Sequence, residues 1–323
     1  MFAVRRNGSA RSSFAEKTGW RRCDEGKMSV VRGSDAATDR GGRRENGVDG
    51  AGVIGYTRGV ACFIKSDGGV KVNILSIGNS FSQDAHKYLH EIAASGGVQL
   101  HAENLYIGGC PLQVHAENLC SGEAAYDDEI NGRRVGTISL PEALRLRTWD
   151  VVTLQQSSGM SGEYDSYQPY LNELAAAVRT ACPGARLFIH QTWAYEDGAD
   201  HPDFARYGRD RKRMFAQLTA AYRQAAADID AEIIPVGTVI EWLRDRAPGF
   251  IVREGGESLC RDGYHLSFDL GRYAAGSTWY SVLCGRSPRT ITFVPPAAPG
   301  TDAARIAGLL PQIAEAVAAV TGL

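Results

Sequence analysis

Two short stretches carry the residue types of nucleophilic catalysis. Gly78-Asn79-Ser80-Phe81-Ser82 puts a serine where the apolar run Val72–Ile77 gives way to an amphipathic segment. Arg261-Asp262-Gly263-Tyr264-His265-Leu266-Ser267 puts a carboxylate three residues ahead of an imidazole. A serine hydroxyl becomes a useful nucleophile when a base takes its proton and donors receive the charge that grows on the substrate oxygen. Asp-x-x-His on a loop lets the carboxylate turn back to hold Nδ1–H, which leaves Nε2 to face a serine. Each stretch also has an ordinary reading, Ser80 as a helix cap and the heptapeptide as an Asx-turn beside a surface histidine. GxS is a short pattern, and residue 82 is Ser, so this is not the GxSxG elbow.

The elements around these stretches must bring them together. VNILSI is an apolar run suited to a parallel strand covered on both faces. A helix follows, with Ala85, Leu89, Ile92 and Ala93 on one face, closed by Ser95-Gly96-Gly97. VQLHAENLYI reads as a second strand, followed by a long irregular stretch, and TWDVVTLQQ as a third. SYQPYLNELAAAVRTAC is a helix, ARLFIHQTW a fourth strand, residues 203–228 a long helix and AEIIPVG a fifth strand. SFDLGRYAAGSTWYSVLCG and AARIAGLLPQIAEAVAAV supply two more helices. Alternating strands and helices predict an α/β protein, a three-layer α/β/α sandwich with a mainly parallel five-stranded sheet. In such sheets function gathers beyond the carboxyl ends of the strands. That puts Ser80, Gly108-Gly109, Gln155-Gln156-Ser157 and the His190–Tyr195 segment on one rim.

The order Ser…Asp-x-x-His, carried by IGNSFS and DGYHLS, resembles the SGNH or GDSL-type hydrolases, in a divergent branch usually left as a domain of unknown function. The resemblance covers residues 71–323 and implies a flavodoxin-like sheet. It implies Ser80 as nucleophile, His265 as general base and acid, Asp262 as the group that orients His265, and no cofactor or metal. It also implies a backbone donor in Ile107-Gly108-Gly109-Cys110-Pro111, with Gly109 preferred to Gly108. Two positions depart from the family pattern: Asn79 stands for the usual Asp, and Leu154-Gln155-Gln156-Ser157 stands where an asparagine would supply an oxyanion donor. Gln156, or Gln155, is the expected replacement, and strand alternation lets only one of them face the site. Gln155, Gln191 and Trp193 are expected substrate contacts, since aromatic platforms at a strand end suit sugar faces or acyl groups. The expected activity is hydrolysis of short-chain, acetyl-type esters, with a small-molecule or saccharide ester as partner. The alternative is a carbohydrate-binding protein that keeps the fold without efficient chemistry.

Composition narrows the classes further. The chain has 323 residues, 44% hydrophobic and 22% charged, and a formal net charge of −2. That charge gives no general attraction to nucleic acid or an anionic membrane surface. No apolar run is read as approaching the roughly 20 residues of a bilayer span. Seven scattered cysteines without CxxC spacing suit reduced thiols in a cytoplasmic protein. His86-x-x-x-His90 lacks an accompanying HExxH carboxylate, which argues against a metal grip. Residues 1–70 differ: 13 Lys and Arg stand against 8 Asp and Glu, with no sustained hydrophobic period and no secretory signal. They are expected to be a disordered extension or a product of start-site choice, preceding one domain over 71–323.

Overall fold

The computed structural model describes residues 70–323 and two strand fragments, Trp20–Arg21 and Ser29–Val30, which pair antiparallel. By contacts the chain divides into two units, Met1–Gly52 and Val53–Leu323. Apart from those fragments and Val70, the expectation for residues 1–70 lies outside the described residues.

Seven strands form the sheet of the second unit. They are β1 (Val70–Gly78), β2 (Val98–Tyr106), β3 (Tyr126–Ile130), β4 (Arg133–Ile138), β5 (Val151–Leu154), β6 (Arg186–His190) and β7 (Glu232–Ile234). Their order is β4-β3-β2-β1-β5-β6-β7. β2, β1, β5, β6 and β7 run parallel, and β3 and β4 add an antiparallel hairpin at the β2 edge. β1 sits in the middle, and Val72, Ile74, Leu75 and Ile77 are all buried. Burial on both faces is why its sequence reads as a continuous apolar run rather than an alternating one.

The helices are α1 (Ser80–His86), α2 (Leu89–Ser95), α3 (Leu112–Ser121), α4 (Leu140–Leu146), α5 (Tyr170–Ala181), α6 (Arg211–Asp228), α7 (Val236–Arg246), α8 (Leu270–Cys284) and α9 (Ala303–Thr321). On one layer α1, α2, α7 and α9 pack against α8, while α3 packs on α4 and α5 in the other. The α/β/α architecture is thus as the sequence implies, with a larger sheet than the five strands expected. The stretch read as irregular holds α3, the β3–β4 hairpin and α4. Its strands are polar, YDDEI and RRVGTI, and give no apolar alternation. The helix expected after β1 breaks at Lys87-Tyr88 into α1 and α2.

α9 corrects a second expectation. It is 19 residues long, and one 18-residue window has a mean hydropathy of 1.3, long and apolar enough by length and composition to cross a bilayer. Of that window 33% is buried. Ile306, Ile313, Ala316, Val317 and Val320 are buried, in a helix that packs on α7 and α8.

Candidate active site

Register sets the site. Gly78 pairs with Tyr106, Ile77 with Leu154, and Leu154 with Ile189. The residues just beyond these pairs, Asn79-Ser80, Ile107–Gly109, Gln155 and His190, therefore emerge along one sheet edge. This is the edge at which the order of the parallel strands reverses, between β1 and β5, where open α/β sheets place their sites.

The turn after β1 is built around its neighbours. A Cβ on Gly78 would lie 2.2 Å from Ser82 Oγ and 3.2 Å from the Gln155 side-chain carbonyl carbon, so only glycine lets the chain fold back there. Asn79, not Ser80, caps α1. Its Oδ1 accepts from the Phe81 N–H at 3.0 Å and from Gln155 Nε2 at 2.7 Å, while its Nδ2 donates to the Cys110 carbonyl at 3.1 Å. An aspartate could not make that last bond, which explains asparagine at this position. The Asn79 N–H donates to Ser82 Oγ at 3.1 Å, and Ser82 donates on to Asn104 Oδ1 at 2.7 Å. With the cap supplied by Asn79, the half-buried Ser80 hydroxyl lies 3.0 Å from His265 Nε2.

The second stretch is a tight loop closed by an antiparallel bridge, Cys260 to Leu266, and by an Arg261 N–H bond to the His265 carbonyl at 2.9 Å. Gly263 has φ +86°, and a Cβ there would lie 2.8 Å from the Ala199 Cβ. Asp262 Oδ1 accepts from the backbone N–H groups of Tyr264 (3.1 Å) and His265 (2.7 Å), and Oδ2 lies 2.7 Å from His265 Nδ1. Partial burial opposes ionisation of Asp262, but the His265 ring and the two backbone donors outweigh it and hold the carboxyl below its usual value. A carboxylate at Nδ1 fixes the proton there and leaves Nε2 as the acceptor that faces Ser80. Two ties hold the loop in place. Buried Asp84, on α1, accepts from Arg261 at 3.1 Å, from Arg272 at 2.7 Å and from the Leu266 N–H at 2.9 Å. Trp193 stacks on Phe81 at 4.2 Å between ring centroids and donates Nε1–H to the Tyr264 carbonyl at 2.7 Å.

Other sequence-predicted residues divide. Gly109 is exposed at φ +64°, with open space where a Cβ would lie, and Gly108 is exposed beside it. Their loop is tied to the Ser80 turn through Asn79 and Cys110. Gln155 faces the turn. Gln156 faces away: its Nε2 donates to the Ser166 carbonyl and hydroxyl, both at 3.0 Å, and its Oε1 accepts from the Leu112 and Ser157 N–H groups. The expectation of Gln156 as an oxyanion donor is therefore corrected, because both of its amide hydrogens already have acceptors. Gln191 and Trp193 are corrected as substrate contacts, being 1% and 0% exposed. Gln191 bonds Thr219 and Thr238 in the core, and Trp193 supports the imidazole loop from below.

Sequence reasoning missed Asp84 and Asn104, and it put the segment holding His190 on the rim without giving that residue a role. Asp84 had one signal, the lone carboxylate of α1, a single turn after Ser80. His86 and His90 diverge, one bonding Ser76 at 2.7 Å and the other the Leu100 carbonyl at 2.7 Å. Among the described residues no group of three or more His, Cys, Asp or Glu is placed to hold a metal. Among the described residues, Cys110, Cys182, Cys260 and Cys284 are buried thiols outside any disulfide. A cavity of about 710 Å³ between Lys71, His90, Gly97, Gln99, His101 and Asn131 opens at the opposite ends of the strands, and Ser80, Asp262 and His265 do not line it.

No curated protein matches the chain. The lipase/acylhydrolase from Enterococcus faecalis is a similar solved structure, at 16% identity over 70% of this chain and 100% of that one, with a TM-score of 0.41. A DUF4886 family protein from Bacteroides uniformis is 34% identical over 78% of this chain and 94% of its own, with a TM-score of 0.67. The model of the family described as Domain of unknown function (DUF4886) matches residues 73–309, and the chain belongs to that family.

Proposed function

We propose that this protein is a serine esterase that removes short acyl groups, acetyl above all, from alcohol oxygens, with acetylated carbohydrates as the first substrates to try. The observation that carries the reading is the line Ser80 Oγ–His265 Nε2 at 3.0 Å and His265 Nδ1–Asp262 Oδ2 at 2.7 Å. The resemblance to SGNH hydrolases supports it, and the carbohydrate preference comes from that resemblance.

Ser80 Oγ attacks the ester carbonyl while its proton passes to His265 Nε2. Asp262, kept ionised, stabilises the imidazolium that forms. The oxyanion is received by the Ser80 N–H, which as the first residue of α1 has no intrahelical acceptor, and by the Gly109 N–H on its exposed loop. Collapse returns the proton to the departing alkoxide and leaves an acyl-serine. Water then attacks, giving a proton to His265, which passes it to Ser80 Oγ as the acyl bond breaks, releasing the carboxylic acid and restoring Ser80.

Ser80→Ala and His265→Ala should each abolish hydrolysis of p-nitrophenyl acetate in folded protein, and wild-type turnover in either variant would refute the assignment. The second reading, a binding protein without efficient chemistry, draws on one observation: Gln156 is turned toward Ser166. Loss of one oxyanion donor costs about 2.7–4 kcal/mol of transition-state stabilisation. A fluorophosphonate probe separates the readings, since only an activated Ser80 is labelled.

A further inference from the structure

The Ser80 turn rests on a buried chain of neutral groups whose direction can be read from its ends. Asn79 Oδ1 is identified by the backbone donor at Phe81, and its Nδ2 by the backbone acceptor at Cys110. The Gln155 atom 2.7 Å from Asn79 Oδ1 must then be the amide nitrogen, so the Gln155 oxygen faces the other way. That oxygen lies 2.7 Å from His190 Nδ1, which must carry a proton to make the bond.

We infer that His190 is a positioning residue for this site: its Nδ1–H holds the Gln155 amide in one orientation, and Gln155 in turn holds Asn79 and the turn bearing Ser80. Without that donor the Gln155 oxygen is a buried acceptor with no partner, and a half-turn of the amide would set oxygen against Asn79 Oδ1. The surroundings suit a neutral imidazole. His190 is fully buried, with Trp279 edge-on at 5.0 Å and Trp193 at 6.2 Å. Its other nitrogen, Nε2, is buried without a hydrogen-bond partner, as is Nδ1 of His86, which packs on the same Trp279 ring at 5.0 Å. Burial, followed by the neighbouring His86, pushes the His190 pKa down to about 3, so the ring stays neutral through the working range, and the Gln155 oxygen at Nδ1 sets which nitrogen carries its proton.

The test compares His190→Leu, which removes the donor, with His190→Asn, whose side-chain amide presents a donor near the place of Nδ1. In His190→Leu, kcat for p-nitrophenyl acetate should fall about 10- to 100-fold with KM within about twofold, matching the loss of one buried bond. Fluorophosphonate labelling of Ser80 should slow by the same factor. Exchange of the Phe81 amide, which donates to Asn79, should quicken about tenfold or more. His190→Asn should restore all three to within about threefold of wild type. Wild-type kcat and Phe81 protection in His190→Leu, or equal damage in both variants, would overturn the inference and leave His190 as packing. Should His190→Leu fail to fold, Gln155→Met breaks the same bond from its other end, and unchanged Phe81 exchange there would overturn it too. The kinetic arm rests on Ser80 being the nucleophile. A wild-type protein inert to ester and probe would refute that reading, while Phe81 exchange would still decide the role of His190.

Discussion

The two halves of the site are held in different ways. The Ser80 turn is fixed by neutral amides and hydroxyls, Asn79, Ser82, Asn104, Gln155 and His190, all buried at the strand ends. The Asp262–His265 loop is fixed largely by charge, through Asp84 with Arg261 and Arg272, and nearby through Glu196 with Arg244 at 3.3 Å. The difference follows from position. A turn emerging from a central strand lies where an uncompensated charge is expensive, so it is tied by groups that need no ionisation. A loop at the surface can keep guanidinium groups partly in water and still aim them at one buried carboxylate. The two supports meet on α1. Ser80 and Asp84 stand four residues apart on one helical face, so the helix that presents the hydroxyl also anchors the loop that presents the base.

Breaking the ionic support should have the largest effect. Asp84→Ala leaves Arg261 and Arg272 without their shared acceptor and should cost about 3–5 kcal/mol in chemical denaturation, with loss of esterase activity. A loss under about 1 kcal/mol would mean that the clamp is ornamental and the loop is held by its backbone alone. Next comes the neutral support. Asn79→Asp removes the donor to the Cys110 carbonyl and should cost about 1–3 kcal/mol, read as a shift in the urea midpoint. An unchanged midpoint would argue that the Gly109 loop does not depend on this tie.

Acid should sharpen the contrast. Burial lowers the pKa values of His86, His115 and His190 to about 3. Folded values below the unfolded one mean that their stabilisation is complete above the unfolded pKa and is lost as pH falls toward the folded value. Each should weaken folding by at most about 1.4 kcal/mol per pH unit between roughly pH 6.5 and 3. Denaturation at pH 7 and pH 5 checks this, and equal midpoints would contradict it. The smallest effect is expected at Trp193→Phe, which keeps a stacking ring on Phe81 but loses the bond to the Tyr264 carbonyl, costing about 0.5–1.5 kcal/mol. A thermal melt reads it, and no change would show that stacking alone supports the loop.

Much of this arrangement is legible before any coordinates. Parallel strands covered on both faces announce themselves as apolar runs, as in VNILSI and VVTL, although β2 carries Gln99, His101, Glu103 and Asn104 among its apolar residues. The β3–β4 hairpin gives no such run, because its residues lie at a polar sheet edge. Its one local sign is Asn131-Gly132, found at φ 49° and 72°, the backbone that an Asn-Gly hairpin turn requires. Ser80, Asp262 and His265 stand out by residue type and local spacing, and the aspartate–histidine contact is short enough in sequence to be foreseen.

What sequence by itself determined, then, is the relative and the local: that Gln155 and Gln156 must point to opposite faces, that Asp262 can turn back on His265, that Gly78 makes room for something. Tertiary structure decided the absolute. It turned Gln155 toward Asn79 and Gln156 toward Ser166, buried Gln191 and Trp193, and brought Ser80 within 3.0 Å of an imidazole 185 residues away. Strand periodicity fixes which neighbours share a face, but only packing against the other layers says which face looks onto the core and which onto the site.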